Sequence, residues 1–150
     1  MRMQQFVSNT AVSNDFFLTM QMLKTCFSLW IAQSNIHFAD QTIYSTGPSP
    51  VSVATADVNG DNKPDIIVAN SGSANVGVLL NTGNGTFTNQ TTYLAGSSPN
   101  SVSVVDVNGD NKPDIIVANS GSGNVGVFLN TGDGTFTNQT TYLAGSSPNS

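Results

Sequence analysis

In the second half of the chain the apolar residues come in short bursts: VSVVDV at 102–107, DIIVA at 114–118, VGVFL at 125–129 and TFTNQTTYL at 135–143. Alternation at a period of two, or brief runs of Val, Ile and Leu, marks strands and not helical turns. Between the bursts lie DVNGDNKPD, NSGSG and NTGDG, whose Gly and Asn residues suit tight turns and positive φ. The spacing predicts four short strands joined by connections too short for a parallel crossover, so the neighbours should be antiparallel. Val125, Val127 and Leu129 share one face of their strand and Gly126 and Phe128 the other, so both faces are expected to pack.

The same pattern occurs earlier. Shifting the chain by 49 positions aligns residues 41–89 with residues 90–138, with 38 of 49 pairs identical, and a third copy opens at 139 with 12 identical positions. A period of this size belongs to solenoids and propellers, and four antiparallel strands per unit describe a propeller blade. The expected fold is all-β, a partial β-propeller of four-stranded antiparallel blades. Residues 38–150 form its repeats, with units at 41–89 and 90–138, and residues 1–37 are a separate segment, read as a signal peptide or a degenerate blade. The apolar stretch at 16–32 is interrupted by Gln21 and Lys24 and is not expected to span a membrane.

Charge narrows the partners. The net charge is -5, which gives no support to a nucleic-acid surface or to an anionic membrane patch. All nine acidic residues are Asp, and six of them lie in the two copies of DVNGDNKPD, at 57–65 and 106–114. Cys26 and His37 are single and lie outside the complete repeats, so no nucleophile and base pair is in view and no enzyme is expected.

Each acidic loop offers alternating oxygens. Asp57, Asn59 and Asp61 occupy positions one, three and five, the Lys63 carbonyl position seven and Asp65 position nine; the second loop repeats this with Asp106, Asn108, Asp110, Lys112 and Asp114. A hard cation such as Ca²⁺ takes about six to eight such oxygens, whereas Zn²⁺ would want the His or Cys that the loops lack. Gly60 and Gly109 let the backbone wrap, while Pro64 and Pro113 stiffen the exits. Three carboxylates and one lysine leave each loop at -2, a charge that one Ca²⁺ cancels, and the lysine ammonium is expected to point to solvent. The bare alternative is a pair of well-capped Asx turns. A helical EF-hand fits poorly: position six is Asn62 or Asn111, position twelve is Val68 or Val117, and strand follows.

The combination of VNGDNKPDIIVA with VGV-x-LNTG-x-GTF resembles the FG-GAP or VCBS repeat family, the blades of integrin alpha-chain propellers. The resemblance runs from about Phe38 to Ser150. It implies a propeller with calcium in the acidic loops, in a secreted or cell-surface protein that serves adhesion or binds a protein or glycan ligand.

Two units leave blade faces uncovered, so the chain reads as part of a longer propeller, with other blades supplied in cis or in an oligomer. The alternative is a two-blade, lectin-like chain that closes a ring by oligomerising. In that case Tyr44, Tyr93, Tyr142, Phe87 and Phe136 could stack on sugars; packing between blades is the plainer role for one Tyr and one Phe per unit. Sequons at Asn84, Asn89 and Asn138 are weak support for an extracellular setting.

Overall fold

In the computed structural model, which describes residues 41–144, the apolar bursts become ten strands and a 3-10 turn at Ser71–Ser73. The segment 1–37, with Cys26 and His37, lies outside the described residues, as do residues 145–150 of the third unit. The first sheet consists of β1 (Pro50–Ala56), β2 (Asp65–Asn70), β3 (Asn75–Leu79) and β6 (Thr91–Leu94), hydrogen-bonded in that order and antiparallel throughout. The short strands β4 (Asn81–Gly83) and β5 (Thr86–Phe87) form a hairpin between β3 and β6. The second sheet repeats the arrangement with β7 (Pro99–Val105), β8 (Asp114–Asn119), β9 (Asn124–Phe128) and β10 (Thr140–Leu143). Each of these four strands starts 49 residues after its counterpart. Two four-stranded antiparallel sheets in tandem are propeller-like blades, and among the described residues no sheet closes on itself.

The fourth strand is shorter than the sequence pattern implied. Phe136 bridges back to Asn130, and only Thr140–Leu143 joins the sheet, because the NTGDG turn folds residues 130–136 onto themselves before the chain reaches the sheet edge. Gly132 and Gly134 take φ of 105° and 81° in that turn, which an L side chain rarely adopts. Sheet and sequence unit are also offset. Residues 90–94 open the second unit in the sequence, yet β6 closes the first sheet.

Packing of one sheet on the other makes the core. Ile67, Ala69, Val76 and Val78 of the first sheet meet Val102, Ile115, Val117 and Phe128 of the second, with β1 and β2 lying against β7. Strand alternation explains the selection, since Ile67 is paired with Val78 and Ala69 with Val76, which puts all four on one face. Full burial of a side chain of this size contributes about 1.5–3 kcal/mol. Glycine at 77 and 126 makes room for the side chains of Gln90 and Gln139, whose amide nitrogens would lie 2.0 and 1.8 Å from an added Cβ.

The expectation that both faces of the 125–129 strand pack is met in full only in the first sheet. Val76 and Val78 are buried beneath the second sheet, whereas Leu129 stays 37% exposed and Tyr142 59%. Among the described residues, the second sheet has a neighbour on one side only.

Candidate functional site

Each acidic loop connects an edge strand to its neighbour within one sheet, β1 to β2 and β7 to β8. In the first, Asp57 is the hub: its Oδ1 accepts from the amides of Gly60 at 2.7 Å and Asp61 at 3.1 Å, and its Oδ2 from Asn62 at 2.7 Å. Two further Asx turns follow. Asn59 Oδ1 accepts from the Asp61 amide and Asp61 Oδ1 from the Lys63 amide, at 3.1 and 3.0 Å. The chain can wind this tightly because Gly60 and Asn62 adopt left-handed φ of 77° and 61°. The second loop reproduces the winding, with Asp106 accepting from Gly109 and Asn111, Asn108 from Asp110, and Asp110 from Lys112.

Asp65 and Asp114 play a different part from the other loop acids. Both are fully buried at the head of an inner strand. Asp65 Oδ2 accepts from the Val58 amide at 2.9 Å and its Oδ1 from the Asn81 amide at 2.7 Å, tying the loop to the start of the β4 hairpin. Asp114 does the same with Val107 and Asn130. Among the described residues the ion pairs are Lys63–Asp61 and Lys112–Asp110, so neither buried carboxylate has a cationic partner. An ionised carboxylate has about four lone-pair sites, so two amides leave each of these groups able to accept more.

The lysines depart from expectation. Lys63 Nζ turns back to Asp61 Oδ2 at 2.9 Å, and Lys112 Nζ lies 3.7 Å from Asp110 Oδ2 while donating to the Thr131 carbonyl at 3.4 Å. The carboxyls are close enough to make this favourable, although such exposed pairs contribute little net stability. The Lys63 hydrogen bond holds the Asp61 carboxyl below its ordinary range against the opposing effect of burial. At Asp106 desolvation pushes the other way, and the amides of Asn111, Gly109 and Asn108 outweigh it and keep the carboxyl low. Part of the repulsion inside each loop is therefore met by loop amides and lysine.

As a donor set for a metal, the loops supply oxygen alone. Among the described residues no three acidic, His or Cys side chains converge into a metal-holding group. An ion would need the mixed set of Asp57, Asn59, Asp61, Asp65 and the Lys63 carbonyl, or the corresponding set from Asp106 to Asp114. That chemistry fits Ca²⁺, which accepts carboxylate, amide and carbonyl oxygens together, and not Zn²⁺.

Sequence reading missed Asn81 and Asn130. The Asn130 side chain donates from Nδ2 to the Pro113 carbonyl and to the Val58 carbonyl, both at 2.9 Å, joining the second hairpin to the first loop across the sheets. Asn81 donates in the same way to the Pro64 carbonyl. Each had the look of an ordinary turn residue; the one available signal was its fixed place, 16 residues after the last loop Asp in both units.

The aromatics pack. Tyr93 meets Phe136 edge-on at 5.4 Å and 80°, and Tyr44 meets Phe87 at 5.4 Å and 81°. Asn84, Asn89 and Asn138 of the sequons are exposed. Among the described residues no helix is long and apolar enough to cross a membrane.

Residues 14–68, 57–117 and 106–150 match the FG-GAP-like repeat family, the first match starting upstream of Phe38, where the resemblance read from the motifs begins. Compared with curated proteins, the chain finds no match.

Proposed function

Because this chain belongs to the FG-GAP-like repeat family, we propose that it is a calcium-binding β-propeller repeat module serving extracellular adhesion or the binding of a protein ligand. One observation carries the reading of the ion. Each acidic loop closes on a buried Asp, Asp65 or Asp114, that has amide partners but no cationic partner among the described residues, beneath a coil already wound around alternating oxygens. Burying such a charge is costly unless it is compensated, and a divalent ion shared with Asp57, Asn59 and Asp61 would supply the compensation. Calcium would then pin the turn between β1 and β2, or between β7 and β8, and hold that rim of the blade rigid for partner contacts.

Family membership supports the rest. FG-GAP-like repeats are typical of extracellular proteins and of non-enzymatic interaction modules, and weak loop sites suit millimolar extracellular calcium. A protein ligand is favoured over a glycan, because Tyr44, Tyr93, Phe87 and Phe136 are engaged with one another.

Thermal unfolding with CaCl₂ and with chelator tests the proposal. Calcium should raise the melting temperature, and Asp61→Ala combined with Asp110→Ala should abolish the rise; identical curves in calcium and chelator would count against it. A glycan array run in both buffers separates the lectin alternative, which requires calcium-dependent sugar binding.

A further inference from the structure

Asparagine is followed by glycine at three places: Asn59 and Gly60, Asn84 and Gly85, and Asn108 and Gly109. The fold treats them differently. In the acidic loops the glycine amide is engaged, since Gly60 donates to Asp57 Oδ1 and Gly109 to Asp106 Oδ1, each at 2.7 Å. The asparagine side chains are held as well, with Asn59 Oδ1 and Asn108 Oδ1 accepting from the amides of Asp61 and Asp110. At the tip of the β4–β5 hairpin neither restraint exists. Asn84 and Gly85 are exposed, with φ of 54° and 75°, the central pair of a primed turn between the paired residues Gly83 and Thr86. Among the described residues the Gly85 amide donates to no partner, and a Cβ built on Gly85 would meet nothing within 4 Å.

We infer that Asn84 is a site of spontaneous deamidation, while Asn59 and Asn108 are shielded by the loops that hold them. Glycine leaves the following amide unhindered, which makes it the residue that most exposes a preceding asparagine to this chemistry. The Gly85 nitrogen gives its proton to solvent base and bonds to Asn84 Cγ; the bond from Cγ to Nδ2 breaks, and Nδ2 leaves as ammonia from a cyclic imide. Water then opens either carbonyl of the imide, returning an aspartyl residue or an isoaspartyl one in which the main chain runs through the former side chain. Water enters and ammonia leaves, and nothing is oxidised or reduced. In the acidic loops an amide held on a carboxylate reacts only when the loop opens.

The second unit shows what the aspartyl product would meet. The hairpin segments NTGNGTFTN and NTGDGTFTN differ only at Asn84 and Asp133. Asp133 Oδ1 accepts from the hydroxyls of Thr131 and Thr135 and from the Thr135 amide. Thr82 and Thr86 stand in the same places in the first hairpin, hydrogen-bonded to each other. The lysines differ too: Lys63 lies 2.9 Å from Asp61, whereas Lys112 lies 3.7 Å from Asp110 and donates to the Thr131 carbonyl of the hairpin. Deamidation therefore gives the first hairpin the acceptor that the second already has, and draws Lys63 from Asp61 toward the hairpin. The isoaspartyl product instead lengthens the turn and breaks the pairing of Gly83 with Thr86.

Incubation of the folded full chain in warm, mildly alkaline buffer with chelator tests this, read by mass analysis of chymotryptic peptides and by enzymatic labelling of isoaspartate. The peptide carrying Asn84 should exchange ammonia for water at least about tenfold faster than those carrying Asn59 or Asn108, which react only from opened loops. Asn108 is exposed like Asn84, so exposure alone does not produce that difference. In concentrated urea, where the fold no longer acts, the rates of all three should converge. Asn59 or Asn108 reacting as fast as Asn84 in the folded chain overturns the inference. So does a lead for Asn84 that persists unchanged in urea, and so does an Asn84 that stays intact in the folded chain while the unfolded chain converts.

Discussion

The Asn130 side chain donates to the main-chain carbonyl of Val58 at 2.9 Å, joining two residues 72 positions apart. Val58 in turn donates its amide to Asp65, and Asn130 donates its own amide to Asp114. The buried acids of neighbouring sheets are thus linked through one loop residue and one hairpin residue. Whatever fixes an acidic loop also fixes the seam between blades.

Asn130→Ala should destabilise the protein by about 1–3 kcal/mol, because it orphans the Val58 carbonyl at a buried seam as well as the Pro113 carbonyl. Asn81→Ala removes the equivalent bond to Pro64 at a less buried position and should cost less. Urea unfolding of the two variants checks the order.

Asp65→Asn tests the buried carboxylate apart from any ion. Each Asp65 oxygen accepts a main-chain amide, and a carboxamide can present an oxygen to only one of them. A loss of about 1–3 kcal/mol is expected in chelator, where calcium cannot contribute. Calcium should then restore less stability to this variant than to the wild type.

Acid sensitivity should trace in part to Asp133. The hydroxyls of Thr135 and Thr131 and the Thr135 amide hold its carboxyl below the usual value of 3.8. The unfolded chain then binds the proton more readily, so the stabilisation is complete above 3.8 and is lost as pH falls through the lower folded-state value. Asp133→Asn should flatten that part of the stability curve and leave neutral pH little changed, as melting between pH 2 and 5 would report.

Tyr93 and Tyr142 occupy the same place in the repeat and differ only in what covers them. Tyr93→Ala opens a void against Phe128 and Phe136 and should cost roughly 2–4 kcal/mol. Tyr142→Ala, measured in dilute monomer, should stay within about 0.5 kcal/mol. Equal effects would mean that the seam around Tyr93 is not packed as described.

The strand pattern was legible because each inner strand is a run of β-branched residues closed by Asp at one end and Asn at the other. The loops were legible because Asp57, Asn59 and Asp61 alternate at ligand spacing. What the sequence concealed depends on long-range contact. Nothing local separates the buried Asp65 from the exposed Asp61, or shows that Asn130 reaches back to Val58. The fourth strand was overextended because Thr135 and Phe136 alternate like a strand while serving a hairpin. Lys63 was set toward solvent because a nearest-neighbour reading does not show the chain curling its ammonium back over Asp61.

Calorimetric titration of the calcium-depleted chain with CaCl₂ addresses the central claim most directly. The account predicts two sites per chain, one per acidic loop, one of which disappears in Asp61→Ala and the other in Asp110→Ala. At about a hundredfold excess over the dissociation constant each site should add roughly 2.7 kcal/mol to two-state stability. No heat of binding, together with no calcium retained by the purified protein on direct metal analysis, would contradict it: the loops would then be amide-capped turns, and the blades would stand without an ion.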